Sequence, residues 1–381
     1  MPAIQFIKKR FGHSYLVWFQ NSNSYILLEE PAWFVLSKTV KRYKAETIAK
    51  EFAIRYCNTL RDSQSFVRDI RLNIEEMNRA DKAQPITEPC FDDLNNYDFI
   101  PYSIHHYRTG NKVIEFSFET AYLESFIRPL IQHFETTGDS NKMPFFELFT
   151  FEERIIFRYN GEVKGSWTRD ETHLVKGLIF MFLVNVLHDK SDADWLMTVH
   201  ASAITNGKKT ILFSAPPGHG KTTIAALLQA CGYHLISDDY VPIDRYAFNA
   251  YPFPIAMSVK EGSVALLSLL FPTLEERSIN YITPEKKVRY MPSDHNPNIA
   301  NDVFPVKEIV FIRYDSTVDF AWEKLDLACG LKLLLDQAWM APTQGNAAIF
   351  FDRIIHVSFF QLTYSNNQKA LDAITNLFDL P

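Results

Sequence analysis

Thr210-Ile-Leu-Phe-Ser-Ala-Pro-Pro-Gly-His-Gly-Lys-Thr-Thr223, followed shortly by Leu235-Ile-Ser-Asp-Asp239, decides how this chain is read. The β-rich apolar run Ile211, Leu212, Phe213 predicts a strand. It enters a Gly/Pro turn and leaves through Gly220-Lys221-Thr222 into a helical pattern of Ile224, Leu227 and Leu228. Strand, glycine turn and helix aim backbone N–H groups and the positive helix end at one point, which suits a phosphate. The pattern is G-x-x-x-x-G-K-[ST], a P-loop (Walker A), with Ala215 at the first glycine. Residues Ala215, Pro216, Pro217, Gly218, His219, Gly220, Lys221, Thr222 and Thr223 are the expected nucleotide-binding set. In this geometry Lys221 reaches the β/γ-phosphates and the Thr222 hydroxyl reaches Mg²⁺. A second apolar strand ends in Asp238-Asp239, starting 17 residues beyond Lys221.

Composition bounds the rest. The chain has 381 residues, enough for two or three units. With 47% hydrophobic and 22% charged residues it reads as an ordinary globular protein. Its 31 Phe and 17 Tyr favour sheet-rich, aromatic cores. A net charge of −6 advertises no nucleic-acid partner. Cys57, Cys90, Cys231 and Cys329 form no C-x-x-C pair, which points away from zinc and disulfides and towards a reducing cytoplasm. The longest apolar run, Gly177 to Leu187, is too short to cross a bilayer, so no membrane partner is expected.

Residues 1–85 read as a small unit. Tyr25 to Leu28 predicts a strand, and Pro31 opens a helix. Ile48, Phe52 and Tyr56, then Phe66, Ile70 and Ile74, predict two more amphipathic helices, the last capped by Ser63 or Ser65. A β-hairpin with three helices is winged-helix-like. Ser24-Tyr-Ile-Leu-Leu-Glu-Glu-Pro-Ala-Trp-Phe-Val-Leu36, Glu46-Thr-Ile-Ala49 and Phe66-Val-Arg-Asp-Ile70 resemble the PqqD-like family, peptide-recognition domains of ribosomal-peptide tailoring pathways. The resemblance implies that the β-edge near Tyr25 takes an added peptide strand.

Residues 81 to about 100 predict an acidic, turn-rich linker. Lys112–Phe118 and Arg154–Tyr159 predict strands, the latter turning at Asn160-Gly161, and Thr172–His188 predicts a buried helix. Asn206-Gly207 turns the chain into the strand before the loop. Residues 274–302, with Pro284, Pro292 and Pro297, predict a long lid-like loop. Strands are expected at Ile309–Ile312 and Ile354–Phe359, and helices at Leu325–Trp339 and Gln368–Leu377.

Val199-His200, the phosphate loop and Gly232-Tyr-His-Leu-Ile-Ser-Asp-Asp239 together resemble the HPr kinase/phosphorylase-like kinases, relatives of the ATP-dependent phosphoenolpyruvate carboxykinases. The resemblance implies ATP, Mg²⁺ and phosphoryl transfer to a hydroxyl, commonly a serine of a protein or peptide, and a homo-oligomer. It matches Lys221 to the loop lysine, Thr222 to the metal-binding hydroxyl, Asp238 and Asp239 to the paired acids, and His200 to the preceding histidine. Asp238, Asp239, His200 and Lys221 are thus the expected catalytic residues, and Thr222, Asp238 and Asp239 the expected metal ligands. Lys260 and Arg289 are candidates for stabilising transferred charge. No Glu-x-Arg-Gly-Leu-Gly-like segment follows the acids, and Pro216-Pro217 replaces the usual Asp-Ser, so HPr itself and phosphorolysis are not implied.

The paired acids also follow from chemistry. One carboxylate holds Mg²⁺ while another group orients or deprotonates the attacking hydroxyl. Adjacent strand residues face opposite ways, so both reach one site only where the backbone curls. Which acid does which job stays open. The expected fold is α/β: a P-loop, HPr kinase/phosphoenolpyruvate carboxykinase-like domain over 98–381 and a small N-terminal α+β winged-helix-like domain over 1–85. The expected activity is a peptide or protein serine/threonine kinase, which the PqqD-like resemblance would set in ribosomal-peptide tailoring. The alternatives are a kinase of a small hydroxylated metabolite and a nucleotide-binding regulator without transfer activity.

Overall fold

The computed structural model describes residues 4–79, 94–137, 143–283, 286–293 and 304–379. Most of the expected linker (80–93) and part of the expected lid (284–285, 294–303) lie outside them. The chain is mixed α/β and divides into two compact units, Met1–Ile86 with Met340–His356, and Thr87–Trp339 with Val357–Pro381. Among the described residues no helix is long and apolar enough to cross a membrane.

The first unit opens with an antiparallel meander, β1 (Phe6–Phe11), β2 (Ser14–Phe19) and β3 (Ser24–Glu29). The sequence reading expected a single hairpin; the chain adds a third strand. Helices α1 (Glu30–Val40), α2 (Ala45–Arg55) and α3 (Leu60–Met77) follow. Thr59, not Ser63 or Ser65, caps α3: its hydroxyl accepts from the Asp62 amide at 3.2 Å. The helix therefore starts earlier than expected, and Ser63 is buried within it.

β2 carries four consecutive buried residues, Leu16 to Phe19. Alternating side chains of one strand face opposite ways, so both faces of this sheet need cover. Val17 and Phe19 pack with Leu36 of α1 and Ile74 of α3. The helix Gln344–Ile354 covers the other face: Phe350 and Phe351 meet the Tyr25 ring edge-on at 5.6 and 6.2 Å, and Asp352 pairs with Lys9. The sequence reading placed 340–356 in the second domain and began a strand at Ile354. The 3–4 spacing of Ala347, Phe350, Phe351 and Ile354 makes a helix instead, and the strand starts at Ser358. β3 is an edge strand whose one strand partner among the described residues is β2.

In the second unit the strand order β13–β11–β12–β19–β22–β20 forms the body of the main sheet. Here β11 is Ala201–Thr205, β12 Thr210–Ser214, β13 His234–Ser237, β19 Phe304–Tyr314, β20 Phe320–Leu325 and β22 Ser358–Tyr364. β12, β19 and β22 run parallel, so their C-terminal ends share one rim. β15 (Asn249–Ala250), β14 (Val241–Asp244) and β10 (Trp195–Val199) extend the sheet from β19.

A six-stranded sheet over residues 103–167 is covered by α4 (Thr172–His188), whose Val175, Ile179 and Leu183 are buried against Phe116, Phe146 and Phe157. The helix after the phosphate loop, α5 (Lys221–Ala230), buries Ile224, Leu227 and Leu228 between the main sheet and the C-terminal helix Asn367–Asp379. The region expected to be a loop contributes two strands, β17 (Asn280–Thr283) and β18 (Lys286–Met291), to a small sheet completed by β16 (Met257–Lys260). Its alternating buried residues Val288 and Tyr290 supply the period-2 signal.

Phe350→Ala is expected to destabilise the first unit by about 3–5 kcal/mol through the cavity left under β2. Hydrogen exchange at Leu16–Phe19 should speed up accordingly; unchanged protection there would show that the helix does not support the sheet.

Candidate functional site

The loop after β12 turns through two left-handed glycines, Gly218 at φ +98° and Gly220 at φ +95°. A Cβ at Gly220 would lie 3.0 Å from the Tyr364 hydroxyl and 3.4 Å from the Tyr314 Cβ, so both conformation and space require glycine. The Tyr314 amide donates to the His219 carbonyl at 3.0 Å and ties the loop to the end of β19. No side chain caps α5, so its first-turn amides keep their donors for a ligand. Pro216 and Pro217 carry no N–H and add none. Ala215 is buried at the end of β12, while Pro216, Pro217 and Gly218 are exposed.

Side chains converge at the start of α5. The Lys221 ammonium donates to Asp239 Oδ1 at 2.5 Å and to His200 Nε2 at 3.0 Å. An ammonium only donates, so Nε2 accepts, and the ring proton sits on Nδ1, 3.1 Å from the Asp239 carbonyl. Burial and the Lys221 charge hold His200 below the usual histidine range, consistent with a neutral ring. Thr222 donates to Asp238 Oδ2 at 3.0 Å, and Ser202 of β11 donates to Asp238 Oδ1. Each acid thus meets one of two consecutive residues on the first helical turn.

Backbone geometry allows this. Asp239 has φ +68°, in the left-handed region. The curl turns its side chain back so that both carboxylates face α5, and Asp tolerates it better than most residues. The two acids have different surroundings. Asp238 is 1% exposed, and burial, with the neighbouring Asp239 charge, pushes it up to about 6. Burial alone would also raise Asp239, but the Lys221 charge and hydrogen bond, then His200 and Lys176, bring it below the ordinary carboxylate value.

The other expected residues separate. Lys260 belongs to the site: its ammonium lies 3.6 Å from where a Cβ on Gly218 would sit. Arg289 does not. Its guanidinium donates to the carbonyls of Glu275 (2.8 Å) and Arg277 (2.6 Å). In the β16–β18 register Arg289 faces Val259 and Lys260 faces Val288, so the two lie on opposite faces of the small sheet. His219 turns its Nδ1 to the Pro216 carbonyl at 3.1 Å, and the Thr223 hydroxyl pairs with Ser263 at 2.8 Å.

Three participants went unread in the sequence. Ser202, the small polar residue in Ala-Ser-Ala, was a weak signal. Lys286 shares the Lys260 face of the small sheet, and its charge is felt at both His200 and Lys260. Lys176 of α4 lies in the field of Asp239. It is the one Asp, Glu, Lys or Arg in Thr172–His188, a signal that was available.

Among the described residues no three His, Cys, Asp or Glu side chains gather as a metal cluster. A buried carboxylate beside two hydroxyls nevertheless suits Mg²⁺, which keeps several waters and takes one or two carboxylates plus phosphate oxygens.

No family model matches the chain, and no curated protein matches it. Among solved structures, the Hpr(Ser) kinase/phosphatase from Coxiella burnetii is similar at 11% sequence identity and a TM-score of 0.22, over 48% of this chain and 87% of that one. A likeness at that score says nothing of chemistry, which the side chains must carry.

Asp238 favours its protonated form in the fold, so its ionisation costs stability above pH 6, and the cost fades as pH falls through 6. Asp238→Asn is therefore expected to stabilise the ligand-free protein at pH 7.5 by about 1–3 kcal/mol. The gain should shrink towards pH 5 in denaturant titrations; a pH-independent loss of stability would contradict the assigned environment.

Proposed function

We propose that the protein is an ATP- and Mg²⁺-dependent phosphotransferase acting on a serine or threonine hydroxyl of a peptide or protein. The observation that carries this is the meeting of Lys221, Thr222, Asp238, Asp239 and His200 at the uncapped start of α5. The loop amides and Lys221 bind the phosphates. Asp238 and Thr222 are the groups that would hold Mg²⁺, which would supply charge neutralisation at the phosphates.

The differing environments of the two acids support a division of labour. Asp238, buried between two hydroxyls, suits the cation. Asp239, half-exposed and held ionised, suits the acceptor: it takes the hydroxyl hydrogen bond, aims the oxygen at the γ-phosphorus and receives the proton. Phosphoryl transfer passes through a loose transition state, so aim matters more than base strength. An incoming γ-phosphate competes for the Lys221 ammonium and releases Asp239 to the acceptor. His200 donates from Nδ1 to the Asp239 carbonyl and so steadies the left-handed turn.

The peptide acceptor rests on the first unit. β3 is an edge strand beside three helices, and an extended chain can extend such a sheet by main-chain hydrogen bonds. A ribosomally made precursor peptide is the acceptor class that fits this reading together with the PqqD-like resemblance.

With Mg-ATP and a serine-bearing peptide the protein should yield phosphopeptide by mass spectrometry. Lys221→Met should lower kcat/KM by at least about a hundredfold. Nucleotide binding without any phosphorylated product would point to a regulator instead. A peptide long enough to add a strand at β3 should show a KM about tenfold or more below that of a short peptide with the same acceptor. Equal values would remove the first unit from substrate recognition.

A further inference from the structure

Lys176 is the one Asp, Glu, Lys or Arg of a largely apolar 17-residue helix. It sits one turn before Phe180, with its ammonium 5.8 Å from that ring centroid. Phe180 packs edge-on against Tyr240 at 5.7 Å and against Phe253 at 5.1 Å, and Tyr240 directly follows Asp239. The helix face that packs on the residue after Asp239 thus also carries a lysine. Among the described residues no carboxylate comes within ion-pair distance of it; Asp239 acts on it from farther off. A half-buried ammonium whose neighbour is an aromatic ring rather than a carboxylate is costly to keep unless it meets an anion.

Charge balance says which anion. Among the described residues, Lys176, Lys221 and Lys260 bring three positive charges to the neighbourhood of Asp238 and Asp239, whose two negative charges leave a positive surplus for an anionic ligand. Mg-ATP carries about two net negative charges at neutral pH, and phosphoryl transfer moves that charge towards the β/γ bridge and the equatorial oxygens. Lys221 and Lys260 stand at the phosphate loop. Lys176 comes from α4, outside the phosphate loop and the small sheet.

We propose that Lys176 is a charge-stabilising catalytic residue whose ammonium contacts the phosphoryl group in transit, more strongly in the transition state than in bound nucleotide. The inference rests on the phosphotransferase reading above and deepens it. It assigns to α4 the late positive charge that the sequence reading sought in Arg289. Burial, opposed by Asp239 and assisted by Lys286, lowers the Lys176 ammonium to about 8, so it is charged at neutral pH but held at a cost. Lysine is the side chain suited to such a place, because its compact charge can approach a phosphoryl oxygen along a buried stem.

The test is calorimetric titration of the full chain with MgADP, and with MgADP plus aluminium fluoride as the transition-state mimic. Lys176→Met should bind MgADP within about twofold of the native chain and the fluoride complex about tenfold or more weakly. Lys176→Arg should recover most of that loss. The free Lys176→Met protein should melt at the same or a higher temperature, since an unpaired ammonium has left an apolar helix. Equal binding of the fluoride complex by native and Lys176→Met chains would overturn the proposal, as would an arginine variant no better than the methionine one. A Lys176→Met protein that melts earlier and loses MgADP binding would mark the residue as structural. If the native chain binds neither ligand, the nucleotide site itself falls, a result distinct from failure of Lys176 alone.

Discussion

The Lys221–Asp239 ion pair depends on a backbone conformation that few residues accept. Two consecutive aspartates leaving an extended strand would point to opposite faces. At φ +68° Asp239 turns back, and its carboxylate meets Lys221 while Asp238 meets Thr222. An αL residue other than glycine carries conformational strain, and here the contacts of the folded state offset it: His200 to the Asp239 carbonyl, Lys221 to its carboxylate. The curl gives one acid a dry, hydroxyl-lined environment and the other an accessible one beside an ammonium. Two chemically identical side chains thereby acquire different proton affinities.

What could be read in the sequence was mostly local. Strand, turn and helix around Lys221 lie within about twenty residues, and turn glycines and apolar periodicity announce them directly. The aspartates were legible as a pair, but the left-handed turn that gathers them was not, because no glycine marks it. Read as a loop, 274–302 leaves Arg289 free to stand beside Lys260. Once 286–291 is a strand, period-2 alternation separates Arg289 from Lys286 and sends it to the Glu275 and Arg277 carbonyls.

The missed partners are the non-local ones. Lys176 lies in the field of Asp239, and α4 comes near the acid turn by packing Phe180 on Tyr240, a contact between residues 60 positions apart. Its signal was the odd one out in an apolar helix, and such an oddity says that a charge is needed without saying where. Gln344–Ile354 was lost for a related reason: a short apolar run is ambiguous between strand and helix until its partner is known. That partner is the opposite end of the chain.

The meander of β1 to β3 is closed by a helix from near the other terminus, with the Lys9–Asp352 pair spanning 343 positions. During synthesis the amino-terminal strands emerge first, yet one of their faces stays wet until residue 354 has cleared the ribosome. Such high contact order slows folding and prolongs exposure of apolar strands. The strands of the smaller unit wait 343 positions for the helix that covers them, so a nascent chain interrupted before residue 340 carries an exposed sheet for quality control to recognise.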